Sequence, residues 1–186
     1  TMPQVIAISN QKGGVGKTTT AVNLAASLGQ LGHSTLLVDM DPQANATSAV
    51  GLEPDQIDSS IYHALILNQD PKVINLNDTY KNLSVLPSTI DLTGAEFELM
   101  DLENRERVLT RVIASLVFPY DYIIIDCPPS LGLLTLNALV LSKWVIIPVQ
   151  AEYLALEGLS RMKKTIDLIQ HKHNSSLQIL GIAVTL

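Results

Sequence analysis

Asn10-Gln11-Lys12-Gly13-Gly14-Val15-Gly16-Lys17-Thr18-Thr19 decides how the rest of the chain is read. An apolar run, Val5-Ile6-Ala7-Ile8, precedes it and has the character of a buried strand. After it, Val22, Leu24, Ala25, Leu28 and Leu31 recur with helical spacing and are expected to face inward. A strand, a glycine loop and a helix start in that order form the context of a phosphate-binding loop. Gly13, Gly14 and Gly16 let the backbone turn with its N–H groups converging, and the helix N-terminus adds roughly half a positive charge. A polyphosphate is the ligand such a cradle suits. Residues Lys12, Gly13, Gly14, Val15, Gly16, Lys17, Thr18 and Thr19 are its candidate contacts. Lys17 is expected to reach the β- and γ-phosphate oxygens, the Thr18 hydroxyl to ligate a bridging Mg2+, and Thr19 to bond an α-phosphate oxygen.

The usual spacing, G-x-x-x-x-G-K-[ST], asks for glycine at position 11, where this chain has Gln11 followed by Lys12. The octapeptide from Lys12 to Thr19 resembles the deviant Walker A box of the ParA/MinD family of ATPases. That resemblance implies that Lys12 crosses a dimer interface to the phosphates held by the partner subunit. Electrostatics point the same way. Two unit charges a few ångströms apart repel by about 4 kcal/mol at an intermediate dielectric, so Lys12 beside Lys17 and Mg2+ is expected to point away from its own phosphates. Two copies related by a two-fold axis can then exchange lysines.

Composition agrees with a layered α/β domain. The 186 residues are 47% hydrophobic but only 4% aromatic, an aliphatic balance suited to parallel strands covered on both faces by helices. The expected fold is a doubly wound, mostly parallel sheet with helices on both faces. With 12 basic and 18 acidic residues the net charge is −6, so nucleic-acid contact would need a local basic patch. The single cysteine, Cys127, excludes an internal disulfide and fits a reducing cytoplasm. No signal-peptide pattern and no uninterrupted 18-residue apolar segment occurs, so no membrane contact is expected.

Acidic residues close two further strand-like runs. Ser34-Thr35-Leu36-Leu37-Val38 ends in Asp39-Met40-Asp41-Pro42-Gln43, and Tyr122-Ile123-Ile124-Ile125 ends in Asp126. Carboxylates at the C-terminal ends of parallel strands face the ligand crevice, and Asp126 fits a Walker B acid holding Mg2+. The Asp39 box resembles switch I of the same family. By that resemblance Asp41 positions or activates the attacking water, and Asp39 lies nearer the metal. Cys127-Pro128-Pro129-Ser130-Leu131-Gly132 resembles switch II, with Cys127 read as a small buried side chain. Glu152-Tyr153-Leu154-Ala155-Leu156-Glu157-Gly158 is also similar to the ParA group.

Between these boxes, 44–54 reads as a mobile loop, 57–67 as a helix, 68–82 as turn-rich, Leu83-Ser84-Val85-Leu86 as a short strand closed by Pro87-Ser88 in a pattern that also resembles the ParA group, and 88–102 and 103–116 as helices. A helix over 131–141, a strand at 144–147, a helix to about His173 and a strand over 177–186 complete the chain. Leu159, Met162, Ile166 and Ile169 form the core stripe of that last helix. Arg161, Lys163, Lys164 and Lys172 lie opposite and read as a solvated face.

The resemblance therefore covers nearly the whole chain, as one P-loop ATPase domain over 2–186 that is expected to lack the C-terminal part of the family fold. It implies an ATP- and Mg2+-dependent switch for chromosome or plasmid partitioning, homodimeric when ATP-bound. Its expected partners are a ParB-like centromere-binding protein and DNA held nonspecifically through residues outside this chain. A cytoplasmic, nucleoid-associated location follows. ATP is expected over GTP because no Asn-Lys-x-Asp tetrapeptide is present. Alternatives are a MinD-like cell-division ATPase, an iron–sulfur carrier or electron-transfer ATPase, and a nucleotide-dependent scaffold without turnover.

Overall fold

The structure is a computed structural model describing residues 2–117, 119–152 and 155–185. Tyr153 and Leu154 of the Glu152 run lie outside the described residues. Among those described, seven strands form one sheet: β1 (Gln4–Ile8), β2 (Thr35–Asp39), β3 (Ile74–Asn75), β4 (Leu83–Leu86), β5 (Tyr122–Asp126), β6 (Trp144–Gln150) and β7 (Gln178–Thr185). Their order is β3-β4-β2-β5-β1-β6-β7, and every pairing is parallel except β3 with β4. The helices are α1 (Lys17–Gln30), α2 (Asn45–Ala49), α3 (Ile61–Leu65), α4 (Leu92–Met100), α5 (Val108–Ala114), α6 (Leu133–Leu141) and α7 (Ala155–Lys172). This is the doubly wound α/β architecture expected from the aliphatic strand runs.

The chain leaves β1, skips one position to β2, and later returns to insert β5 between them. The crevice at such a switch point opens at the C-terminal ends of the strands. The register aligns Ile8 with Asp126 and Asp39 with Asp126, so the β1 loop and both acids emerge at one level.

Two apolar layers cover the sheet. One contains Leu36, Val38, Ile123 and Ile125 from the strands with Leu92, Leu99, Leu109, Leu139 and Ile166 from helices. The other packs Ile6, Ile8, Leu37 and Ile124 against α1. Each fully buried aliphatic side chain contributes about 1.5–3 kcal/mol as an upper estimate. The inner face of α4, Leu92, Ala95 and Leu99, is therefore a firm anchor.

Several boundaries differ from the sequence reading. On α1 the buried positions are Lys17, Ala21, Ala25 and Gly29, while Leu31 is exposed and Val22, Leu24 and Leu28 are only partly covered. Close approach explains this, since a Cβ on Gly29 would lie 2.3 Å from the Lys81 carbonyl oxygen. Small side chains, not large ones, face the sheet there. The segment expected as a mobile loop holds α2, with Ala46 and Thr47 buried. The expected helices over 57–67, 88–102 and 103–116 shrink to α3, α4 and α5, the last preceded by a 3-10 turn over Arg105–Arg107. The strand β3 lies inside the turn-rich segment. On α7, Met162, Ile166 and Ile169 are buried as read, and on the opposite face Arg161 pairs with Glu157 and Lys163 with Asp167.

Candidate functional site

The loop between β1 and α1 turns through two left-handed glycines, Gly14 at φ 71° and Gly16 at φ 84°, a region that other residues enter only with strain. Gly16 caps α1 without a side-chain bond, leaving the first-turn amides as free donors. The loop is braced from behind by the far strands. Asn10 Nδ2 donates to the Pro148 carbonyl at 2.6 Å, Gln150 Nε2 to the Gly14 carbonyl at 3.2 Å and Thr185 Oγ1 to the Val15 carbonyl at 2.9 Å.

In front of it lies a cavity of about 530 Å³. Gly13, Gly14, Gly16, Lys17, Thr18 and Thr19 line one side, and Asp41, Gln43, Asn45 and Pro129 face them. The structure thus brings together the glycine loop, Asp41 from the acidic box after β2 and the proline turn after β5. Of these liners, Asn45 had no sequence signal, because only the turn into α2 aims it here.

Thr18 Oγ1 donates to Asp126 Oδ2 at 2.7 Å, and Asp126 Oδ1 is buried with no hydrogen-bond partner among the described residues. A buried carboxylate oxygen without a donor is costly unless a cation or water completes it. Paired with a neighbouring hydroxyl, it forms a hard-oxygen donor set that fits Mg2+. Lys17 is 7% exposed, and its ammonium donates to the Lys12 carbonyl at 2.9 Å. Burial lowers its pKa, while the charges of Asp126 and Asp41 oppose that shift.

The sequence reading puts Asp39 nearer the metal, but its carboxylate is committed elsewhere. Oδ1 accepts from the Asp41 amide at 3.1 Å, and Oδ2 accepts from the Thr47 amide at 2.9 Å and the Thr47 hydroxyl at 2.7 Å. Asp39 is fully buried and does not line the cavity. Thr47 also accepts from the Ser88 amide, and Ser88 Oγ donates to the Asp41 carbonyl at 2.7 Å. Thr47, which helps hold the Asp41 loop, carried no sequence signal, and Ser88 was marked only by the strand-Pro-Ser resemblance. Lys12 points out of the cavity and forms an ion pair with Glu152, both side chains being 53% exposed. Cys127 is fully buried and its thiol is pushed up by burial, which leaves it a packing residue.

Burial, with the Asp39 charge as the next cause, raises Asp126 to about 7 from 3.8; Asp41 adds to the shift, and the Thr18 bond and Lys17 oppose it. Burial raises Asp39 to about 6, against the bonds from Thr47 and Asp41. Both groups bind protons more tightly folded than unfolded. Their contribution to stability is present below about pH 4 and is lost as pH rises through 6 to 7, on the order of a few kcal/mol in all. The melting temperature of the metal- and nucleotide-free protein is expected to fall from pH 5 to 8, and Asp126→Asn to flatten that slope. An unchanged slope in Asp126→Asn would contradict the assignment.

Among the described residues no cluster of three or more His, Cys, Asp or Glu side chains is arranged to hold a metal, and no helix is long and apolar enough to cross a membrane. An AAA domain family model matches residues 3–179. The chain is 56% identical to the chromosome partitioning protein ParA of Myxococcus xanthus, covering 100% of this chain and 66% of that protein. It is 52% identical to the sporulation initiation inhibitor protein Soj of Bacillus subtilis, covering 100% and 73%. Among solved structures, cobyrinic acid a,c-diamide synthase from Mycobacterium smegmatis with bound ATP analog and magnesium superposes with a TM-score of 0.93 at 41% identity, over 100% of this chain and 75% of that one. A plasmid partition protein from Borrelia burgdorferi gives 0.85 at 34% identity, over 98% and 79%. The chain thus spans about two thirds to four fifths of these proteins' length. Its glycine loop, acids and sheet order, together with these matches, mean that the chain belongs to the ParA/Soj family of partitioning ATPases within the AAA domain group.

Proposed function

We propose that this chain is the nucleotide-binding part of an ATP-dependent partitioning switch, hydrolysing ATP to ADP and phosphate and dimerising while ATP is bound. The observation that carries the reading is the convergence of Lys17, Thr18 and Asp41 at one cavity of about 530 Å³, with the buried Asp126 carboxylate, one oxygen of which has no partner among the described residues, bonded to Thr18. Lys17 leaves the Lys12 carbonyl for the β- and γ-phosphate oxygens. Thr18 and Asp126 would hold Mg2+, which would supply positive charge to offset that of the phosphates. Asp41 orients the attacking water and accepts its proton. Asp39 acts as a positioning residue, fixing the Asp41 loop through Thr47. Binding to a ParB-like centromere protein and to DNA, with the nucleoid location that DNA binding brings, is part of the same proposal.

Lys12 gives the reading its dimer. Its pair with Glu152 is half-exposed on both sides, and such surface pairs are worth about 0–1 kcal/mol, so a partner's triphosphate displaces Glu152 readily. Sedimentation of the full-length protein with ATP tests this on Asp41→Ala, with and without Lys12→Ala or Lys12→Gln. The Lys12 variants are expected to keep ATP affinity within about threefold as monomers and to lose both dimer and turnover. If the double variant dimerises as well as Asp41→Ala alone, Lys12 is only a solvated loop lysine.

A further inference from the structure

The turn after β5 is held from outside the cavity by a residue on α4. Glu96 Oε2 accepts from the Leu133 amide at 2.7 Å, and Oε1 accepts from the Leu134 amide at 3.2 Å. One carboxylate therefore occupies the first amides of α6, next to the turn that carries Pro129 to the cavity wall. A second observation shows that the contact is built in. Gly132 has φ −80° and ψ −166°, a conformation open to any residue, yet a Cβ there would lie 2.3 and 2.4 Å from the two Glu96 carboxylate oxygens. Glycine at 132 makes room for Glu96. The other end of α4 adjoins the Asp41 loop, where Ser88 bonds the Asp41 carbonyl and Thr89 bonds Asp91.

We propose that Glu96 is a positioning residue for hydrolysis: bridging α4 to the Leu133 and Leu134 amides, it fixes the 128–132 turn against the phosphates and ties that turn to the loop carrying Asp41. The consequence for turnover rests on the ATPase reading above. The buried inner face of α4 stays intact when Glu96 is changed, so the fold persists.

The test uses full-length Glu96→Ala, Glu96→Gln, Gly132→Ala and the double Glu96→Ala/Gly132→Ala. Without nucleotide, amide hydrogen exchange across 128–134 is expected to rise about tenfold in each alanine single variant while β1 and β5 are unchanged. The glutamine variant, keeping one acceptor oxygen, should fall between. Adding Gly132→Ala to Glu96→Ala should change nothing more, because the displaced group is already gone. With ATP, kcat is expected to fall roughly ten- to a hundredfold while the Kd for ATP stays within about threefold. Unchanged exchange at 128–134 in Glu96→Ala, full additivity in the double variant, or undiminished kcat in a hydrolysing protein would overturn the proposal. A wild-type protein that neither binds nor hydrolyses ATP would instead overturn the ATPase reading, and the exchange data would still decide whether Glu96 holds the turn.

Discussion

Lys17→Ala is expected to abolish measurable nucleotide binding while the domain stays folded. The ammonium is nearly buried at the floor of the cavity and already satisfies a backbone carbonyl, so it is aimed before any ligand arrives. Hydrogen bonds to charged groups are worth about 1.5–3 kcal/mol each, and losing two toward a polyphosphate weakens binding roughly a hundredfold or more. Lys17→Arg is not expected to rescue it, because the wider guanidinium does not fit a site shaped for a point charge. Titration with a fluorescent ATP analogue, alongside a melting curve, measures both. An affinity for Lys17→Ala within fivefold of wild type, which is well short of that loss, would remove Lys17 from the site.

Asp41→Ala is expected to do the opposite, keeping ATP and losing turnover. Proton transfer by a positioned side chain contributes about a hundred- to ten-thousandfold, and that is the loss expected in kcat. The loop survives the change, because Ser88 bonds the Asp41 backbone carbonyl and Thr47 bonds Asp39; only the Gln43 amide loses its acceptor. Asp41→Asn keeps that acceptor but cannot take a proton at neutral pH, so it should be nearly as slow as the alanine variant. Single-turnover phosphate release at saturating ATP separates the outcomes. Normal hydrolysis in both variants would leave Asp41 with a loop role alone.

The fold class was legible because two signals coincide at Val5–Lys17 and at Ile123–Asp126: an aliphatic run with no polar break, and a chemically distinctive residue where the run ends. Lys17, Thr18 and Asp126 were legible as a group because their residue types, at the ends of aliphatic runs, suit a polyphosphate and its Mg2+, and Asp41 joined them through the switch I resemblance. The structure puts Thr18 within hydrogen-bond reach of Asp126. The outward course of Lys12 was expected from the family resemblance and from charge repulsion, while Glu152 as its resting partner was not.

Residues that act by contact across the fold were invisible in the sequence. The buried face of α1 is Ala21, Ala25 and Gly29, because backbone approach, not side-chain size, decides which residues face the sheet. Thr47 and Glu96 lie in separate parts of the chain, and neither their spacing nor their types mark them; Ser88 stood in a strand-Pro-Ser pattern, but its bond to the Asp41 carbonyl did not show there. By itself the sequence determined the local chemistry: which strand ends in an acid, which loop can turn on glycine, and which lysine is extra. Tertiary structure alone decided the assignments of shared groups, giving Asp39 to Thr47 and the Asp41 amide, Asp126 to Thr18, and the α6 amides to Glu96. The physical reason is that a buried carboxylate must take whichever donors packing brings within about 3 Å, and packing is settled by the whole core rather than by neighbours in sequence.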